Sequence, residues 1–95
     1  MFDVVIVGGG VAGLRASLEA RRLGKTVAII TKGHPLSSFS SSIQDGMNAS
    51  IGSEDSWESH AEDTIRSGQS LNDQRIVSSI CKQAPQILEE LDKMG

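Results

Sequence analysis

The chain has 95 residues, of which 38% are apolar, and a formal net charge of −3 at neutral pH. This length admits one small domain or part of a larger one. The longest apolar runs, such as Val4–Val7, are far shorter than the roughly 18 residues of a membrane-spanning helix, which excludes a direct membrane span. Scattered basic residues in a mildly acidic chain argue against a nucleic-acid partner. Because no basic region and apolar signal stretch open the chain, we expect a cytoplasmic location.

The first 31 residues have the pattern of a β-α-β unit. The β-branched and apolar run Phe2–Val7 is typical of a strand that is buried on both faces in a parallel sheet. The pattern predicts a helix over Val11–Leu23, ended by a left-handed Gly24, and a second buried strand over Val27–Ile30. The crossover between these strands should be right-handed. The helix is expected to bury one apolar face, made of Val11, Leu14, Leu18 and Leu23.

The middle of the chain is less regular. Residues 33–42 contain Pro35 and five serines, a composition that indicates a loop or linker. Residues 44–52 are ambiguous, because their alternation of apolar and polar residues allows a short extended segment.

Two helices are predicted in the last 41 residues, 55–95. Asp55 and Glu58 have the spacing of a capping box at the start of the first, which should end near Gly68. Its buried side is expected to comprise Trp57, Ala61, Thr64 and Ile65.

Asn72 or Asp73 is expected to cap the second helix, in which Pro85 either causes a kink or lies in the first turn of a new helix. Its single cysteine, Cys81, cannot form an internal disulfide, and we expect a reduced thiol that serves in packing. Its apolar positions are Ile76, Ile80, Ala84, Ile87, Leu88 and Leu91.

A glycine pattern follows the first predicted strand and opens the first predicted helix. Gly8 would allow the tight turn out of the strand, Gly10 the approach of a pyrophosphate to the backbone, and Gly13 close packing of helix on strand. The amides of Gly10, Val11 and Ala12 would then face the phosphates, aided by about half a positive charge at the helix start. This arrangement predicts a dinucleotide site, whereas a tight turn without a ligand is the alternative.

The acidic residue that usually binds the ribose hydroxyls about 20 residues later is absent from this pattern. The second strand instead ends at Thr31 and Lys32. A lysine here could bind the 2′-phosphate of NADP, or the hydroxyl and amine could replace the carboxylate in an FAD site. A solvated lysine without a ligand is the third interpretation.

The residues after the glycine pattern resemble the flavoprotein subunit of the succinate dehydrogenase and fumarate reductase family, which also includes L-aspartate oxidase. The resemblance covers the whole chain through several spaced motifs. They comprise Thr31-Lys32, Pro35, Ser38-Phe39-Ser40, Ile43-Gln44-Asp45-Gly46, the set Asp55, Trp57, His60, Asp63 and Thr64, then Ala84-Pro85 and Met94-Gly95.

This resemblance implies an α/β fold, namely the N-terminal portion of a Rossmann-like FAD-binding domain, followed by helices. It divides residues 1–95 into a β-α-β part of about 2–31, a flavin-wrapping segment of about 32–52 and a helical part of about 55–94. The residues that it implies for FAD binding are Gly8, Gly9, Gly10, Val11, Ala12, Gly13, Thr31, Lys32, Ser38, Phe39, Ser40, Gln44, Asp45 and Gly46.

Two positions depart from the family pattern. Phe39 stands where membrane-bound members have the histidine that bonds covalently to the flavin. A phenyl ring has no nucleophilic nitrogen, so we expect non-covalent FAD. Asp45 replaces a glycine, and its carboxylate would either oppose negative charge on reduced flavin or point away from the ring.

The resemblance implies a flavoprotein oxidoreductase that interconverts succinate and fumarate, with an L-aspartate oxidase-like activity or a non-catalytic nucleotide-binding stub as alternatives. We find no catalytic or metal-binding residue in this chain, because nothing in it matches the family's proton-carrying arginine or substrate clamp. We therefore expect the N-terminal piece of a longer enzyme that is inactive alone. An iron-sulfur subunit is an implied partner, which could hold the protein peripherally at the cytoplasmic face of a membrane.

Overall fold

The computed structural model describes residues 1–34 and 46–95 of the chain. The chain divides into two compact units, Met1–Asp45 and Gly46–Gly95.

The first unit contains two parallel strands joined by a helix. Strand β1 spans Val4–Val7, helix α1 spans Val11–Arg22 and strand β2 spans Val27–Ile30. The strands pair in register from Val4 opposite Val27 to Val7 opposite Ile30. This confirms the predicted order of elements, although β1 begins two residues later than Phe2 and α1 ends one residue before Leu23. Gly24, with a φ of +75°, lies in the left-handed region as predicted.

Helix α1 packs through its small residues. It contacts both strands, and its half-buried positions include Gly13, Ser17 and Ala20, which share one side of the helix. The predicted apolar face is wrong for this unit, because its four side chains are exposed: Val11, Leu14, Leu18 and Leu23. Small side chains allow the helix axis to lie closer to the sheet than leucines would.

Strand β1 is buried on one face only. Val4 and Ile6 are half-buried, whereas Val5 and Val7 are exposed, Val7 to 84%. The expected burial on both faces is therefore wrong for the described residues, since α1 covers a single face. Parallel strands with this continuous apolar character normally have both faces covered.

A side-chain clip joins the starts of the two strands. The Asp3 carboxylate accepts hydrogen bonds from the Thr26 amide and from the Thr26 hydroxyl, each at 2.7 Å. The Asp3 amide in turn donates to the Thr26 carbonyl at 3.0 Å. The bond from the Thr26 amide, followed by that from its hydroxyl, lowers the pKa of Asp3 below its ordinary value of 3.8.

We expect this clip to contribute to stability only while Asp3 is ionised. Because the folded-state pKa is lowered, the contribution is present above the unfolded-state pKa and is lost as the pH falls through the folded-state value. Denaturant midpoints measured from pH 6 to 2 should therefore fall less for Asp3→Asn than for the native sequence. Asp92→Asn, which removes one carboxylate from the other unit, is the control, and equal pH profiles for Asp3→Asn and the native chain would contradict the expectation.

The second unit begins its helical part at Trp57. Helix α2 spans Trp57–Ser67, and its N-cap is Ser56, whose hydroxyl oxygen accepts from the Ser59 amide at 3.1 Å. The predicted capping box of Asp55 with Glu58 is wrong. The Asp55 carboxylate instead accepts from the neighbouring Ser56 amide at 2.7 Å, which leaves the capping position to the serine.

A tight connection joins α2 to helix α3, which spans Gln74–Met94. The Asn72 side-chain amide donates to the Thr64 carbonyl at 3.1 Å and so satisfies a group at the end of α2. A β-carbon on Gly68 would lie 2.6 Å from that amide nitrogen, so a larger residue there would displace the Asn72 side chain from this bond. Of the two predicted caps, Asn72 and Asp73, the structure has Asp73 as the N-cap of α3. Its carboxylate accepts hydrogen bonds from the Arg75 and Ile76 amides.

Helices α2 and α3 pack on each other through small side chains. Ala61, Cys81 and Ala84 are the buried apolar residues of this unit, and Cys81 is only 4% exposed. The expected buried side of α2 is confirmed, since Trp57, Thr64 and Ile65 are half-buried beside Ala61. The Lys82 ammonium lies 5.5 Å from the centre of the Trp57 ring, which adds a cation–π contact between the helices.

Helix α3 continues through Pro85, so the alternative of a new helix beginning there is wrong. Its second apolar face is exposed, however, and consists of Ile76, Ile80, Ile87, Leu91 and Met94. None of the helices in residues 1–34 and 46–95 combines the length and apolar content needed to cross a membrane.

Candidate functional site

The glycine turn connects the carboxyl end of β1 to the start of α1. Gly8 has a φ of +116°, a conformation that side-chain-bearing residues rarely adopt. Its amide donates to the Ile30 carbonyl at 2.8 Å, so the turn begins beside the end of β2. The predicted role of Gly8 in the tight turn agrees with this geometry.

Gly13 lies where α1 approaches the turn most closely. A β-carbon at this position would be 2.0 Å from the Gly8 carbonyl oxygen, far inside any contact distance, and 3.4 Å from the Ile6 side chain. Neither the backbone oxygen nor the strand can move aside without separating helix from sheet. Position 13 therefore admits only glycine if α1 is to keep its place.

The start of α1 presents uncapped amides. Gly10 is the N-cap, and having no side chain it offers no oxygen to the first turn, which also lacks acidic residues. The first bond inside the helix runs from the Leu14 amide to the Gly10 carbonyl at 2.9 Å, so the amides of Val11, Ala12 and Gly13 have no partner within the helix. Together with the helix dipole, these donors suit an anionic group such as a phosphate. Gly9, beside them, is buried.

Thr31 and Lys32 follow β2 at the same edge of the sheet as the glycine turn, because Val7 and Ile30 are paired at the ends of parallel strands. The Thr31 hydroxyl donates to the Gly33 carbonyl, which leaves its oxygen lone pairs available. Lys32 is exposed. This edge therefore offers amide donors from the turn and one cation from the end of β2.

Of the remaining residues that are predicted to contact the flavin, only Gly46 is among the described residues. Gly46, at the start of the second unit, is exposed, and a β-carbon there would meet nothing within 4 Å. Ser38, Phe39, Ser40, Gln44 and Asp45 lie outside the described residues, so their assignments stay predictions.

Two features were not found by sequence reasoning. The first is the clip of Asp3 with Thr26; its signal was a carboxylate and a hydroxyl in equivalent positions before two parallel strands. The second is a polar pocket of about 200 Å³ in the second unit, lined by Asn48, Ala49, Asp55, His60 and Asp63. Its residues are spread over a loop and a helix, and no short motif would have connected them.

Comparison with known proteins places the chain in a family. Residues 3–95 match the family described as the FAD binding domain. The chain belongs to this family. Membership of this family supports FAD binding by the domain, whereas the glycine turn as the place where FAD binds stays a prediction.

Relatives of this FAD-binding domain occur in two kinds of flavoprotein. The chain is 45% identical over 94 residues to the chloroplastic L-aspartate oxidase of Oryza sativa subsp. japonica, covering 99% of the chain and 14% of that protein. It is 40% identical over 96 residues to the succinate dehydrogenase flavoprotein subunit of Rickettsia felis, covering 99% of the chain and 16% of that protein. A chain of the Mycobacterium smegmatis Sdh1 complex in the apo form is similar to this chain with a TM-score of 0.91 and 37% identity. The similarity covers 99% of this chain and 16% of that chain.

These matches confirm the resemblance stated for the motifs and support an α/β fold like the FAD-binding region of a succinate dehydrogenase flavoprotein. The chain spans only 14–16% of the length of these relatives. The right-handed crossover, the three-part division of residues 1–95 and the individual cofactor contacts stay predictions.

We expect Gly13→Ala to unfold or strongly destabilise the FAD-binding domain. A contact of 2.0 Å with backbone must be relieved by displacing α1, and overpacking of this kind costs about 1–3 kcal/mol or more. Urea unfolding followed by circular dichroism measures the loss. Gly52→Ala is the matched control, since its β-carbon would meet only Asp55 at an ordinary 3.9 Å; equal loss in both variants would contradict the steric argument.

Proposed function

We propose that this chain is the FAD-binding segment of a flavoprotein oxidoreductase that interconverts succinate and fumarate. The observation that carries the proposal is the start of α1. The glycine turn that precedes this helix supplies no capping side chain, and the first turn of the helix contains no acidic residue, so its amides remain uncapped. Family membership supports FAD as the cofactor. When bound, FAD supplies the group that accepts or donates a hydride.

The pyrophosphate of FAD would lie against the glycine turn. Gly9 and Gly10 would allow its approach to the backbone, and the amides of Val11, Ala12 and Gly13 would donate to its oxygens. The uncapped geometry of Gly10 supports this arrangement, because an N-cap side chain would compete for the same donors.

The adenosine side would lie near Thr31 and Lys32. The free lone pairs of Thr31 could accept from ribose hydroxyls, the task that a carboxylate performs in the simplest form of the pattern. Lys32 would then act on FAD phosphate or ribose oxygens rather than on the 2′-phosphate of NADP. Family membership favours FAD over NADP here.

We expect Lys32→Ala to weaken FAD binding about two- to fivefold, which is the magnitude of one exposed charge interaction. Fluorescence quenching during FAD titration measures the affinity, and NADPH should not bind. Lys25→Ala is the matched control, because Lys25 precedes β2 and lies at the opposite edge of the sheet. Binding of NADPH that requires Lys32, without FAD binding, would favour the NADP alternative.

The flavin itself would be held by the segment that contains Ser38, Ser40, Gln44 and Gly46. Serine hydroxyls and an amide supply both donors and acceptors with little bulk. The proposed binding is non-covalent, since Phe39 stands in place of the histidine that links flavin in the family's membrane-bound members. The Asp45 carboxylate would either face the flavin ring or point away from it.

The reaction proposed moves a hydride between flavin N5 and the C2–C3 bond of a dicarboxylate. Succinate dehydrogenase and L-aspartate oxidase relatives match this chain to similar extents, so an L-aspartate oxidase-like activity is the second candidate. The substrate clamp and proton carrier would belong to a longer chain, in which an iron-sulfur subunit is a proposed partner. Association with the cytoplasmic face of a membrane would then occur through such partners.

We expect a chain extended to the length of the relatives to be yellow and to reduce fumarate, whereas residues 1–95 should bind FAD weakly and without turnover. Rates with fumarate, succinate and L-aspartate distinguish the two candidates. Acid precipitation of the yellow protein should release the flavin to the supernatant. Turnover by residues 1–95 alone, or flavin retained in the washed pellet, would contradict these expectations.

A further inference from the structure

We draw no further inference here: the strongest candidate, the exposed apolar face of helix α3 that consists of Ile76, Ile80, Ile87, Leu91 and Met94, carries none because nothing among the described residues shows what covers it.

Discussion

The distance between helix α1 and the Gly8 carbonyl is the constraint on which the first unit depends. With no side chain at position 13, the helix start can lie against the turn that leaves β1. Ser17 and Ala20 continue this side of small residues, so α1 lies close to both strands along its length. That approach directs the uncapped amides of the first turn to the edge where Thr31 and Lys32 follow β2. A single steric condition thus determines both the packing of the unit and the position of the amides that are proposed to bind phosphate.

In the second unit, small residues likewise allow two helices to pack closely. Ala61, Cys81 and Ala84 are small enough for α2 and α3 to approach closely, and Gly68 lets the Asn72 side chain close the connection between them. Helix α3 also continues through Pro85, although proline removes a hydrogen bond from the helix interior. Ala84 and the half-buried Leu88 lie on either side of the proline and keep both halves of the helix against the unit.

The order of elements could be predicted because it depends on local patterns. The β2 bounds, the left-handed Gly24 and the buried side of α2 all follow from residue types within a few positions. The N-cap at Ser56 was missed because Asp55 and Ser56 are both good caps, and only the bond from the Ser56 amide to Asp55 decides between them. The apolar face of α1 was assigned wrongly because periodicity cannot tell which side of a helix contains the closest contact. Periodicity also cannot show that Gln69 and Ser70 adopt positive φ values without being glycine.

In the candidate site, too, only the features that depend on local patterns could be predicted. The spacing alone indicates the roles of Gly8 and Gly13, and the structure adds the distance that makes Gly13 obligatory. The role of Gly10 in the approach of a pyrophosphate stays a prediction. The His60 pocket could not be predicted, because its groups come from a loop and a helix whose meeting depends on packing.

Folding of the first unit would be coupled to the proposed binding of the cofactor. A sheet of two strands is marginal in water, and here α1 covers one face while Val5 and Val7 remain exposed on the other. A ligand that binds only the folded form stabilises it by mass action, by about 2.7 kcal/mol at a concentration 100 times its dissociation constant. Phosphates at the start of α1 would satisfy donors that have no partner in the helix, and would oppose fraying at the turn that Gly13 holds closed. The proposed FAD would therefore be part of what keeps the glycine turn folded, since the turn and its ligand depend on the same contact.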